Sequence, residues 1–250
     1  MPIDYFANNL IIHTATFDTG LANQPLHEGE LTVFIANASE LNLEQIVPEH
    51  FLCQAEIAIL VKRKQPKAKR EYLKSRHIIK QLLSAQYDDH CTAFETRFND
   101  TKKELELYHH NQLLPIKLSL SHSHEMVAVA LCMQQQHVFS FGIDLEKTTK
   151  LRAFDKLAHH FYHVDEVTLI EQAGRLCPKQ QAAYFYRIWT LKEALAKTLK
   201  RPIAQLLRPN VFELIERHNL RNFSTEFYDF AFTLLTTHQK QIPKLVIVTC

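Results

Sequence analysis

The chain has 250 residues, 46% of them hydrophobic and 22% charged, enough for a sizeable core and unlike a disordered sequence. Its formal charge is +2 and it holds only four glycines, with no GxGxxG or Walker A pattern, which excludes the Gly-rich nucleotide-binding loops. Five scattered cysteines without a CxxC pair exclude a zinc ribbon, and no basic-then-apolar leader or membrane-length apolar run is present, so a cytoplasmic protein with reduced thiols is expected.

Short apolar runs at 10–12 and 31–35 read as strands, with Asp18-Thr19-Gly20 as a turn between them. Pro48 suits the first turn of a helix through Phe51, Ala55, Ile59 and Leu60. Pro66 opens a second, stronger helix, with Tyr72, Leu73, Ile79, Leu82 and Leu83 toward the core and its basic residues outside. Residues 1–61 contain no Lys or Arg, whereas nine fall between Lys62 and Lys80 with only Glu71 among them. That asymmetry predicts a cationic mouth for an anionic partner, which charge alone leaves open among nucleic acid, a phosphate-rich small molecule, an acidic protein and a plain solvated helix face.

Leu105 and Leu107 alternate with Glu104 and Glu106 as in a strand, and 111–115 reads as a turn. Ser121, His122 and Ser123 precede a run from Val127 to Cys132 that reads as a buried strand, and Gln134–Gln136 turns it into the next, making 126–146 a hairpin. Val138 to Glu146 alternates strictly: Phe139, Phe141, Ile143 and Leu145 share one face, and Gly142, Asp144 and Glu146 the other. Two residues along a strand span about 6.5–7 Å, so Asp144 and Glu146 fit one small hard cation, or simply a strand running out into an acidic turn. Gly142 leaves room for the close approach of a ligand. Short helices follow at 154–162 and 166–172, then a long one over 179–200 that places Glu193 and Lys197 four apart on one face. Residues 210–250 read as strands, Phe223 to Leu235 being the longest alternating piece and 245–248 closing the sheet.

Gly142-Ile143-Asp144-Leu145-Glu146 and Trp189-Thr190-Leu191-Lys192-Glu193-Ala194, with Lys197 beyond, resemble the two signature motifs of 4′-phosphopantetheinyl transferases. Leu118 to Ser123, Glu71 to Arg76 and Phe161 to Glu166 resemble further segments of that family in the same order, so the resemblance spans roughly 45–205. The length is similar to the surfactin-synthetase-activating type. This implies an α+β fold with two similar subdomains, 1–135 and 136–250, related by a pseudo-twofold axis with the active site at their interface, in a monomer. It also implies transfer of the phosphopantetheine arm of coenzyme A to a serine of an apo acyl or peptidyl carrier protein, releasing 3′,5′-ADP.

Carried over position by position, Asp144, Glu146 and Glu193 would hold Mg²⁺, and Glu193 and Lys197 would be catalytic. Ser121, His122 and Arg76, with Lys67, Arg70 and Arg63 in the basic stretch, would meet the phosphates of coenzyme A, as would Lys197. The family's Gly-Lys-Pro segment is replaced here by Asn111-Gln112-Leu113-Leu114-Pro115, and the glycines usual after Lys197 by Thr198 to Pro202. Two other readings remain: a silent member that binds coenzyme A or a carrier without transfer, and a nucleic-acid module using 62–80. The single aromatic in that patch, Tyr72, counts against the latter, so neither nucleic acid nor a membrane is an expected partner.

Overall fold

The computed structural model describes residues 11–16, 21, 23–134, 139–150, 152–238 and 242–249. The expectations resting on Leu10, Asp18–Gly20, 135–136 and Val138 lie outside these residues. The strands are β1 (Ile11–Thr16), β2 (Thr32–Asn37), β3 (Phe94–Asn99), β4 (Glu104–His109), β5 (Gln112–Ser123), β6 (Met126–Met133), β7 (Phe141–Lys147), β8 (Arg221–Phe227), β9 (Phe230–Thr236) and β10 (Lys244–Thr249). The helices are α1 (Gln54–Lys62), α2 (Pro66–Tyr87), α3 (Phe154–Phe161), α4 (Val164–Leu176), α5 (Pro178–Leu199) and α6 (Val211–Arg217). The protein is α+β, and its chain divides into two compact units, Leu10–Val138 with Gln241–Cys250, and a second containing Phe139–Lys240.

The first unit is a seven-stranded mixed sheet in the order β1-β10-β2-β6-β5-β4-β3. The last strand, expected to close the C-terminal sheet, instead lies between β1 and β2, parallel to both. Leu245 and Val246 point to opposite faces and both are fully buried, as befits a central strand covered on both sides. Val246 and Val248 join Phe34, Val129 and Leu131 in a core that α2 covers with Ile78, Ile79, Leu82 and Leu83. The expected 126–146 hairpin does not form, because β6 pairs with β2 and β5 whereas β7 pairs with β9. The hairpin partner of β6 is β5, joined through His124 and Glu125, both in the left-handed region as a two-residue turn requires. The turn expected over 111–115 lies at His110–Asn111 instead. β5 starts at Gln112, and the register slips between its pairings with Tyr108 and Glu106, a bulge that accommodates Pro115 inside the strand.

Pro48 begins only a three-residue 3₁₀ turn; α1 starts later, where Cys53 and Glu56 form a reciprocal capping box. Glu56 is fully buried and pairs with Lys80 Nζ at 2.6 Å, while its other oxygen accepts the Thr96 N–H at 3.1 Å. Lys80 Nζ also donates to the carbonyls of Cys91 and Phe94. The basic residues of α2 are therefore not all outside: Lys74, Arg76 and Lys80 are buried.

The second unit packs α3–α6 around the sheet β7-β9-β8. The stretch 223–235 is a hairpin turning at Tyr228–Asp229 rather than one strand, and 211–217 is helical, capped by the Asn210 side chain. Here the device of the first unit recurs. His163 and Glu166 form the capping box of α4, and buried Glu166 pairs with Lys192 Nζ at 2.8 Å and accepts the Val211 N–H at 2.7 Å. Lys192 donates to the carbonyls of Leu206 and Pro209. Both α2 and α5 have 22 residues, begin with Pro-Lys, end on a left-handed cap and carry the glutamate-paired lysine, Lys80 or Lys192, at the same step.

Because each pair is sealed from water, breaking one side is expensive. Lys192→Met is expected to cost about 3–5 kcal/mol, since it strands the Glu166 charge. Urea denaturation of Lys192→Met, Glu166→Gln and the double variant checks this: the double variant should lose less than the two singles added.

Candidate active site

The site grows from one close approach. α5 lies across β7, and a Cβ on Gly142 would stand 2.4 Å from the Ala194 carbonyl oxygen, 2.7 Å from the Thr198 nitrogen and 2.8 Å from Lys197 Cβ. The room left by Gly142 is thus filled by helix backbone, not by a ligand as the sequence suggested. Asp144 and Glu146 follow on the same face of β7, and the contact carries them to the last turns of α5.

Lys197 Nζ donates to the Ile143 carbonyl at 2.8 Å and to Asp144 Oδ1 at 2.9 Å. It turns to the strand rather than forming an ion pair with Glu193 one turn earlier. Asp144 is buried, whereas the Lys197 side chain is 31% exposed and keeps access to solvent. Glu193 is half-buried. Burial, then the negative charge of Asp144, push its carboxyl above the usual range, Glu146 adding to the rise and Lys197 opposing it. Asp144, Glu146, Glu193 and Lys197 therefore share one electrostatic neighbourhood, although the three carboxylates have not closed within 4.8 Å of one another. An all-oxygen donor set under mutual repulsion fits a hard dication, whose charge would relieve the strain on Glu193.

Beside Glu146 is a pocket of about 110 Å³ lined by Phe161, Phe185, Tyr186, Trp189 and Arg152. The Tyr186 hydroxyl donates to the Lys150 carbonyl at 2.9 Å, and burial raises its pKa while Arg152 opposes the rise. Arg152 escaped sequence reasoning: an isolated arginine after a strand carries no periodic signal.

In the first unit the candidate anion-binding residues fall into two sets. Arg63 and Arg76 both stack on the Tyr72 ring, at 4.6 and 4.4 Å, and Arg76 is buried with its Nε 3.9 Å from Glu56. Burial pulls the Arg76 pKa down, against the charges of Tyr72 and Glu56. The second set surrounds Glu71. His122 Nδ1 lies 3.1 Å from Glu71 Oε2, the Glu125 N–H donates to Oε1 at 2.9 Å, and Lys67 Nζ is 3.9 Å from Oε1. Burial works to raise the Glu71 carboxyl, but these contacts outweigh it and hold it below the usual value. Arg70 pairs with Glu125 at 2.5 Å, and Ser121 is buried on β5 beside exposed His122. Glu71, noted in sequence as the one acid of the basic stretch and as part of a motif, thus fixes the orientation of the His122 ring.

Residues 140–250 match the family model described as the 4′-phosphopantetheinyl transferase superfamily, a match that includes β7 and α5. No curated protein matches the chain. Among the described residues, no helix is long and apolar enough to cross a membrane.

Proposed function

We propose that this protein is a 4′-phosphopantetheinyl transferase of the two-halves-in-one-chain type, moving the arm of coenzyme A onto a serine of an apo carrier protein. The observation that carries the reading is the convergence of Asp144, Glu146, Glu193 and Lys197 at the Gly142 contact, inside the stretch matched to that superfamily. The twin buried Glu–Lys pairs, on helices of equal length, support two copies of one ancestral unit and hence a chain that works as a monomer.

Asp144, Glu146 and Glu193 would hold Mg²⁺, which supplies neutralisation of the pyrophosphate charge when bound. Glu193 accepts the proton of the carrier serine. The serine oxygen attacks the phosphorus that bears the pantetheine arm, and the bridging P–O bond to the 3′,5′-ADP half breaks. Lys197, able to leave Asp144 for solvent, neutralises the oxygen on which the leaving electron pair settles. In the first unit Lys67, Arg70, Ser121 and His122, with Arg63 and Arg76 behind them, are the proposed contacts for phosphates of coenzyme A.

Incubation with an apo carrier protein, coenzyme A and Mg²⁺, followed by mass spectrometry of the carrier, tests the proposal. The expected result is a gain of one phosphopantetheine arm that requires the dication. Unchanged mass across acyl and peptidyl carriers overturns it. Salt-sensitive binding of nucleic acid in its place would assign the 62–80 patch to another role.

A further inference from the structure

The first unit carries a second cluster of ligand-type side chains, and the transfer chemistry uses none of it. α2 ends in a left-handed cap at Asp88, which turns the chain so that Asp89 comes next to the β4–β5 hairpin. That hairpin turns through His110 and Asn111, both in the left-handed region, with His109 paired to Gln112 across it. Consecutive residues of a strand would point their rings apart. The turn instead brings the two imidazoles together, with ring centroids 4.5 Å apart. His109 Nε2 and His110 Nε2 each lie 2.8 Å from the same Asp89 oxygen, Oδ2.

We propose that Asp89, His109 and His110 form a binding site for a transition-metal dication of the zinc class. The three ligand atoms lie within 4.8 Å of one another. Ligand atoms of one tetrahedral zinc ion, with bonds of about 2.0–2.2 Å, stand roughly 3.3–3.6 Å apart, so each imidazole nitrogen has to draw back about half an ångström from Asp89 Oδ2, within the reach of small ring rotations. Two imidazole nitrogens and a carboxylate oxygen suit zinc, copper, nickel or iron, and not magnesium.

The surroundings orient the three side chains. The other Asp89 oxygen accepts the His90 N–H at 2.6 Å, which turns Oδ2 toward the imidazoles. The His109 ring stacks on Phe94 at 4.6 Å and tilts against Tyr87, and the His110 N–H is anchored on the Ala93 carbonyl. His110 is 68% exposed, so an ion has a path in. A bound ion would tie the end of α2 to the β4–β5 hairpin and stabilise the first unit by binding the folded state alone.

The test uses the full chain, stripped of metal and held in excess Mg²⁺ so that an oxygen-donor site does not compete for zinc. Equilibrium dialysis against Zn²⁺ should find one ion per chain, and Zn²⁺ should raise the melting temperature. Asp144→Asn should bind as the parent does. His109→Gln/His110→Gln, folded by circular dichroism, should weaken Zn²⁺ binding at least about tenfold and abolish the thermal shift. Asp89→Asn, which keeps an acceptor oxygen but not the charge, should weaken binding similarly. Absence of Zn²⁺ binding by the parent overturns the proposal, as does parental binding by the double-histidine variant.

Discussion

Gly142→Ala is expected to destabilise the second unit by at least about 3 kcal/mol and to remove transfer with it. An added Cβ meets the Ala194 oxygen and the Thr198 nitrogen, both helix backbone, closer than real Cβ atoms are found, so α5 must lift from β7. Overpacking typically costs about 1–3 kcal/mol where side chains can give way, and helix backbone cannot. The same shift would carry Glu193 and Lys197 away from Asp144. Gly174→Ala is the matched control. The three atoms nearest its Cβ all belong to the side chain of Gln181, which can move off at the expense of its hydrogen bond to Asp155, while alanine gains about 0.5–1 kcal/mol inside α4. Urea midpoints measured beside transfer rates check both variants. A Gly142→Ala protein with parental stability and activity would show that the helix–strand contact does not build the site.

Asp144→Asn and Glu193→Gln are each expected to lower transfer by about 10²–10³-fold while leaving the chain folded, because each removes a carboxylate that would hold Mg²⁺ against the pyrophosphate. Their effects on stability should differ. Asp144→Asn loses the Lys197 ion pair, although the ammonium keeps the Ile143 carbonyl and its access to water. Glu193→Gln should stabilise the ion-free protein at neutral pH. The folded state holds the Glu193 proton more tightly than the unfolded chain does. The parent therefore loses stability as pH rises from the ordinary value of 4.5 through the raised folded value, and the Gln variant does not. Melting curves across that range without divalent ions, set beside the carrier assay, measure both effects. A Glu193→Gln protein that transfers at the parental rate would remove that residue from the chemistry.

Local order was legible wherever the pattern was local. α2 and α5 follow from their apolar stripes and opening prolines, and α3 and α4 from the break at His163, which proves to be the α4 cap. The alternation before Glu146 placed Asp144 and Glu146 on one face, and Glu193 and Lys197 fell a turn apart on the helix, as expected. The misreadings were of another kind. Residues 211–217 and 111–115 were misassigned because a side-chain cap and a bulge outweighed weak patterns in short segments.

The amino-acid sequence by itself determined which residues could act, because residue type and the 2.0 and 3.6 periods are properties of neighbouring positions. Only the tertiary structure decided which of them meet. Gly142 receives a helix rather than a ligand, Lys197 turns to Asp144 instead of Glu193, Lys80 and Lys192 are buried on glutamates at the caps of other helices, and the last strand enters the sheet of the first unit. Each depends on the approach of segments far apart in the chain, and for Lys80 and Lys192 burial made the opposite charge and the backbone carbonyls worth more than water.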